Sequence, residues 1–324
     1  KFTKEDVKER VVLVPNSSHA FSQIMSAAMK NQNIKAIPLE VGREEAIRLV
    51  KKYTHNDICF PAQIVVGEAL AALESGKYDT DHVAVAMAKY VCCCRLTHYA
   101  TILRKALDDA GYSNVPILTN DDVDYHNIHP GYRMNLSSML KMAFALPMVD
   151  TLEEMLRKIR PYEKVKGSAD KAFEEAMELL SSEMAKSGVP GEIRAFKKAI
   201  KMLSSVEYDN SKRKPTVLIV GEYLLNFHPG ANHDIERYLE ANGFEIIEAK
   251  MTDVIQKTYF CQRRQIKELK TKRTPALRGL MIITNLFFTS AIRFVDHLAR
   301  HEKLHERTTL IKDMAKEANE VIYQ

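Results

Sequence analysis

Between Val11 and Leu118 the chain repeats one pattern: a short apolar run, a turn, then a segment whose apolar residues recur at helical spacing. Strands buried on both faces read as unbroken apolar runs, and parallel neighbours need a crossover of a dozen or more residues. The repeat therefore predicts an α/β fold, with a parallel sheet flanked by helices. The expected strands are Val11–Val14, Ala36–Leu39, Val83–Met87 and Val115–Leu118. The expected helices run from about His19 to Lys30, from Glu44 to Tyr53, from Pro61 to about Ser75, and along a stripe of Leu96, Tyr99, Leu103 and Leu107 that Gly111 stops.

From Asn135 to about Val206 the strand signal lapses and three helical stripes follow one another. Beyond the polar linker Asp209–Pro215 the alternation resumes, with strands expected at Thr216–Val220, Phe244–Ile247 and Leu280–Ile283. This gives a first α/β domain over 1–134, a helical connector over 135–214 and a second α/β domain over 215–324. The expected architecture is two Rossmann-like parallel-sheet domains. Three strands are fewer than the five or six of a doubly wound unit, so the second domain is expected to be truncated. A first residue of Lys fits an excised piece.

Chemistry concentrates at the cysteines. Three of the five stand together as Cys92-Cys93-Cys94, directly after the third expected strand; Cys59 precedes a helix-starting proline, and Cys261 lies in a distant helical stretch. In an open α/β sheet ligands bind beyond the carboxyl ends of the strands, where helix N-termini favour thiolates. There is no C-x-x-C pair, so the local signature of a zinc ribbon or bacterial ferredoxin is missing, and on spacing alone all five read as small buried hydrophobes. Position favours metal, because Cys59 and Cys94 precede helices at the same expected sheet edge. Neighbouring cysteines diverge, so one of the triplet is expected to ligate.

A second stretch, Val220 to Asn232, follows the first strand of the second domain. It offers Glu222 as an acid or base, His228 as an imidazole and Asn232 as an amide. Before a proline, His228 also reads as an ordinary turn residue. Arg95, beside the triple cysteine, suits an anionic cluster or substrate.

Other classes recede. Neither G-x-x-x-x-G-K-[ST] nor a strand-following G-x-G-x-x-G occurs, so ATP must act through another protein or domain. A net charge of +5 over 324 residues is mild, and the basic stretch Gln262–Arg273 lacks aromatic interleaving, which argues against nucleic acid. No apolar run approaches the ~18–20 residues that span a bilayer, and no signal-peptide architecture opens the chain. A cytoplasmic setting follows, where clustered thiols mean metal or redox chemistry before disulfides.

Four segments together resemble one family: His55-Asn56-Asp57-Ile58-Cys59-Phe60-Pro61-Ala62; Cys94-Arg95-Leu96-Thr97-His98-Tyr99 with its helix to Ile117; Arg160-Pro161-Tyr162-Glu163; and Gly221-Glu222 through Phe227-His228-Pro229-Gly230-Ala231-Asn232. In order and spacing the chain resembles the 2-hydroxyacyl-CoA dehydratase family from about residue 11 to 300, specifically the cysteine-bearing part of large CoA-substrate-specific enzyme activase fusions. The resemblance implies an oxygen-sensitive [4Fe-4S] protein of anaerobic metabolism, with the cluster between two Rossmann-like domains. Cys59 and Cys94 would be ligands and Cys261 a third, while Glu222, His228 and Arg95 would serve catalysis. Electrons would come from an ATP-hydrolysing iron–sulfur activator, and the substrate would be an acyl-CoA or another small molecule. A homodimer is compatible with this reading. The alternative is a docking or regulatory module of such an activase, with the fold but without turnover. Two departures stand out: Cys92 and Cys93 occupy positions where relatives carry small glycines, and a later cysteine-proline motif does not occur before Gln324.

Overall fold

The computed structural model of the chain describes residues 1–87, 94–119, 129–132, 135–268 and 274–322. Its elements begin with α1 (Asp6–Glu9), β1 (Val11–Val14), α2 (His19–Lys30), β2 (Ala36–Pro38), α3 (Glu44–Tyr53), α4 (Phe60–Glu74), β3 (Val83–Met87), α5 (Tyr99–Asp109) and β4 (Ile117–Thr119). Then come α6 (Leu136–Ile159), α7 (Ser168–Lys186) and α8 (Val189–Ser204). The remainder holds β5 (Thr216–Ile219), α9 (Tyr223–Phe227), α10 (Ile235–Ala241), β6 (Glu245–Glu248), α11 (Met251–Glu268), α12 (Pro275–Ala299) and α13 (Ile311–Ile322).

The fold is mixed α/β, and its contacts gather into two units. One takes Lys1–Met139, Ser181–Gly188 and Gly221–Tyr238; the other takes Leu140–Leu180, Val189–Val220 and Leu239–Gln324. Gly221–Tyr238, which follows β5 in sequence, therefore counts with the first unit.

The first unit is built on a parallel sheet of order β2-β1-β3-β4. Alternate residues of each strand face opposite sides. Val12, Val14, Ala84 and Leu118 pack with Phe2, Met29 and Ile34 on one face, the side of α2. Leu13, Val83, Val85 and Met87 pack with Leu49, Leu70, Leu103 and Leu107 of α3, α4 and α5 on the other. These four leucines are at most 1% exposed, and each contributes roughly 2 kcal/mol of burial. Both faces are covered, which is why the strands carry no polar alternation.

Local signals set the helix ends. Ser18 caps α2 by accepting from the Phe21 N–H at 3.0 Å. Glu44 and Glu45 open α3 while Lys51 and Lys52 close it, matching the helix dipole. Helices α3 and α4 approach closely at Gly67, where an added Cβ would lie 2.2 Å from the Ala46 carbonyl oxygen.

In the second unit α8 contributes Ala195, Phe196, Ala199, Ile200 and Leu203 to a buried stripe, and β5 pairs with β6 in parallel, Val217 opposite Ile246. One expected strand is corrected: Leu280–Ile283 lies inside the 25-residue helix α12. Four consecutive apolar residues cannot by themselves distinguish strand from helix. The deciding signal lies further on, where Phe288, Ala291, Ile292, Val295 and Ala299 recur at helical spacing and are buried. Within this helix Arg278–Ala299 is long and apolar enough to cross a membrane by length and composition.

Polar anchors organise the same unit. Arg160 is held by both oxygens of Glu240, each at 2.7 Å, and Tyr162 donates to Glu245 at 2.8 Å while accepting from the Lys214 N–H. Glu163 accepts from the Gly167 and Ala169 N–H groups at 2.7 and 2.8 Å. The Arg160-Pro161-Tyr162-Glu163 motif thus joins three chain segments of the unit.

Candidate functional site

From β1 the chain crosses to β2 on one side, and from β3 it crosses to β4 on the other, so β1 and β3 flank the point where the winding changes direction. Ligand crevices of open α/β sheets lie beyond such carboxyl ends. The loop after β1 carries Asn16, buried at 1% exposure. Its backbone N–H and side-chain amide both donate to the Glu68 carboxylate, at 2.9 and 3.2 Å, and the amide also donates to the Leu39 carbonyl at 2.9 Å.

Glu68 is the hub of the unit's polar interior. It accepts from the Gly42 N–H at 2.6 Å and from His228 Nε2 at 2.8 Å, and the side chains of Glu68 and His228 are both fully buried. His228 Nδ1 accepts from the Ala231 N–H at 3.1 Å, which leaves Nε2 to carry the proton given to Glu68. Beside this pair the backbones of Gly230 and Gly42 nearly touch, since a Cβ on Gly230 would lie 1.8 Å from the Gly42 oxygen. His228 is thus fastened in the interior, and its work is to pin the segment from Gly221 onward against α3 and α4.

That pinning seats the segment carrying Glu222 in the same unit as Cys59 and Cys94. Cys59 sits at the start of α4, and its sulfur lies 2.9 Å from the Tyr99 hydroxyl. Cys94 is exposed at the start of the Arg95–His98 turn, where its sulfur accepts from the Leu96 N–H at 3.5 Å. Arg95 is exposed and donates to the Asp57 carbonyl at 3.1 Å, tying the Cys94 loop to the Cys59 loop. Glu222 caps α9, accepting from the Leu225 N–H at 2.8 Å, and is exposed. Burial first, then the Cys59 hydrogen bond and the charges of Cys59, Cys94 and Glu222, hold the Tyr99 phenol well above its usual range. Two sulfurs and one carboxylate therefore lie within electrostatic reach of one hydroxyl.

Cys261 belongs to the second unit, exposed on α11. Cys92 and Cys93 lie outside the described residues. The described cysteines are half-buried or exposed, unlike the small buried hydrophobes their spacing suggests. Among the described residues no group of three or more His, Cys, Asp or Glu side chains is arranged to hold a metal ion. What the first unit does present is a pair of thiols whose softness suits iron or another thiophilic metal.

Sequence reasoning missed Glu68 and the hydroxyl contact of Tyr99. Glu68 had a signal: it is the only charged residue between Phe60 and Leu73, in a helix apolar on every side. A lone acid there must be paired inside. Tyr99 fell in an apolar stripe and read as core; its ring is core, and its hydroxyl meets the Cys59 sulfur.

Comparison with family models, with curated proteins and with solved structures finds no match.

Proposed function

We propose that the chain is the metal-binding part of an iron–sulfur reductase or dehydratase of the 2-hydroxyacyl-CoA dehydratase type, acting in an anaerobic cytoplasm with an ATP-hydrolysing activator. The carrying observation is the Cys59 sulfur 2.9 Å from the Tyr99 hydroxyl, with the Cys94 loop tied to the Cys59 loop by the Arg95 bond to the Asp57 carbonyl. Cys59 and Cys94 would be ligands of a [4Fe-4S] cluster. When bound, such a cluster supplies low-potential electrons and, at an open iron, Lewis acidity. The chain's own groups do the rest. Glu222, exposed at the start of α9, can exchange a proton with solvent and a bound small molecule. Arg95 keeps the two cysteine loops together and leaves guanidinium donors for an anionic substrate such as an acyl-CoA.

The second reading, a docking or regulatory module of an activase without turnover, is favoured by one fact. Of the cysteines described, only two belong to the first unit.

Anaerobic reconstitution with iron and sulfide tests the assignment. Wild type is expected to take up iron and sulfide with broad visible absorption, and Cys59→Ala and Cys94→Ala to lose both. Wild-type protein that stays colourless and iron-free under these conditions would leave only the docking reading.

A further inference from the structure

We propose that the outer face of α12 is a docking surface for an anionic lipid bilayer, on which the protein lies peripherally with this helix in the plane of the headgroups. The inference goes beyond the metal-centre reading and does not depend on it. Leu280, Ile282, Ile283 and Leu286 are between 56% and 65% exposed within two turns of α12, and Phe287 beside them is 37% exposed. Ile283, Leu286 and Phe287 follow the three-and-four spacing that puts side chains on one side of a helix. The other side is taken, since Phe288, Ala291, Ile292 and Val295 are at most 5% exposed. Spanning a bilayer with Arg278–Ala299 would strip that packing away. A long apolar helix with one side buried and one side open fits the interfacial position, its open side sunk about 5–10 Å into the headgroup boundary.

Charge selects the occupant. From Arg263 to Arg278, directly before the patch, the sequence carries seven Lys or Arg and a single acid, Glu268. From Leu269 to Val295 it carries no Asp or Glu at all. Arg263 and Arg264 on α11 and Arg278 on α12 are exposed. A second copy of the chain would set the same positive charges against each other, whereas a layer of anionic headgroups answers them.

Flotation of the full chain with vesicles tests this, because vesicles rise through a density gradient and protein associated only with itself does not. Wild type is expected to float with vesicles of about one part phosphatidylserine to two of phosphatidylcholine, at least about tenfold more strongly than with phosphatidylcholine alone, and to be released by salt. The double change Ile283→Glu with Leu286→Glu is expected to stay at the bottom with both. Arg263→Gln, Arg264→Gln and Arg278→Gln together are expected to cut the preference for the anionic vesicle at least about threefold. The chain has no tryptophan, so Leu286→Trp sets one reporter on the face. Its emission is expected to be quenched by phosphatidylserine-containing vesicles with brominated acyl chains, a reading that stands if the glutamate variant fails to fold. Wild type that stays at the bottom with anionic vesicles, or a tryptophan blind to the brominated chains, would overturn the proposal and leave the face to a second copy or another protein. Equal flotation with neutral and anionic vesicles, or flotation that survives the two glutamates, would overturn it as well.

Discussion

Glu68 shows how one side chain can set the position of a distant one. It gathers Asn16, Gly42 and His228 from three separate segments, and all four lie buried. Removing one partner of a buried, hydrogen-bonded pair leaves the other groups unpaired, which costs on the order of 3–5 kcal/mol. Glu68→Ala is therefore expected to lower stability by that amount in urea denaturation, and Glu68→Gln by less, since the amide oxygen still accepts. Glu192 is the opposite case. It is fully buried in α8, and neither carboxylate oxygen has a hydrogen-bond partner among the described residues. Burial pushes its carboxyl from 4.5 up to about 7, with Lys141 offsetting part of the rise. The folded state therefore keeps a proton that the unfolded chain gives up, and stability falls as pH climbs from 4.5 to about 7. Glu192→Gln is expected to remove that slope and stabilise the protein at pH 8 by on the order of 2 kcal/mol, measured by denaturation at several pH values.

At the scale of elements, the segment between α12 and α13 is fastened by an imidazole between two acids. His305 lies 3.1 Å from Glu154 of α6 and 3.2 Å from Asp296 of α12, with Lys250 on Glu154 at 3.0 Å, Lys158 on Glu154 at 2.9 Å and Arg293 on Asp296 at 3.1 Å. Burial opposes the charge on His305, but the bonds to Asp296 and Glu154 outweigh it, so the group is raised above its usual 6.5. Glu154 is lowered despite its burial, through His305, Lys250 and Lys158. The signs follow. The histidine's contribution is complete below its unfolded value and is lost as pH rises through its folded one; the glutamate's is present above its unfolded value and lost in acid. Protection factors of α12 and α13, which are free of the intrinsic base-catalysed rate, are expected to fall as pH rises above 6.5 through the histidine's raised value, and His305→Gln to remove that fall. How much of this was legible varies by element. Strands β1 and β3 and helix α3 could be read to the residue because periodicity, caps and charge agreed. α12 could not, because its apolar run precedes the stripe that fixes its period. Cys59, Cys94 and Glu222 were legible as chemistry; that the Glu222 segment belongs to the unit of the two cysteines depends on Glu68 and His228, a contact 160 residues apart that leaves no local trace.

On the scale of the whole molecule, α12 leaves Leu280, Ile282, Ile283 and Leu286 between 56% and 65% exposed. A contiguous apolar surface of this kind drives association in water. The double change Ile283→Glu with Leu286→Glu is expected to shift the protein toward smaller species in sedimentation at unchanged melting temperature. A drop in melting temperature instead would show that these residues are structural.

The close pass of Gly42 and Gly230 carries a last consequence. Neither residue carries a side chain, yet a single methyl group at 230 cannot share space with the opposing carbonyl. Gly230→Ala would have to lift the whole strap that runs from Gly221, at the cost of the His228 bond to Glu68. In an exhaustive substitution survey scored for folded yield, that bare position should tolerate as little change as the buried Glu68.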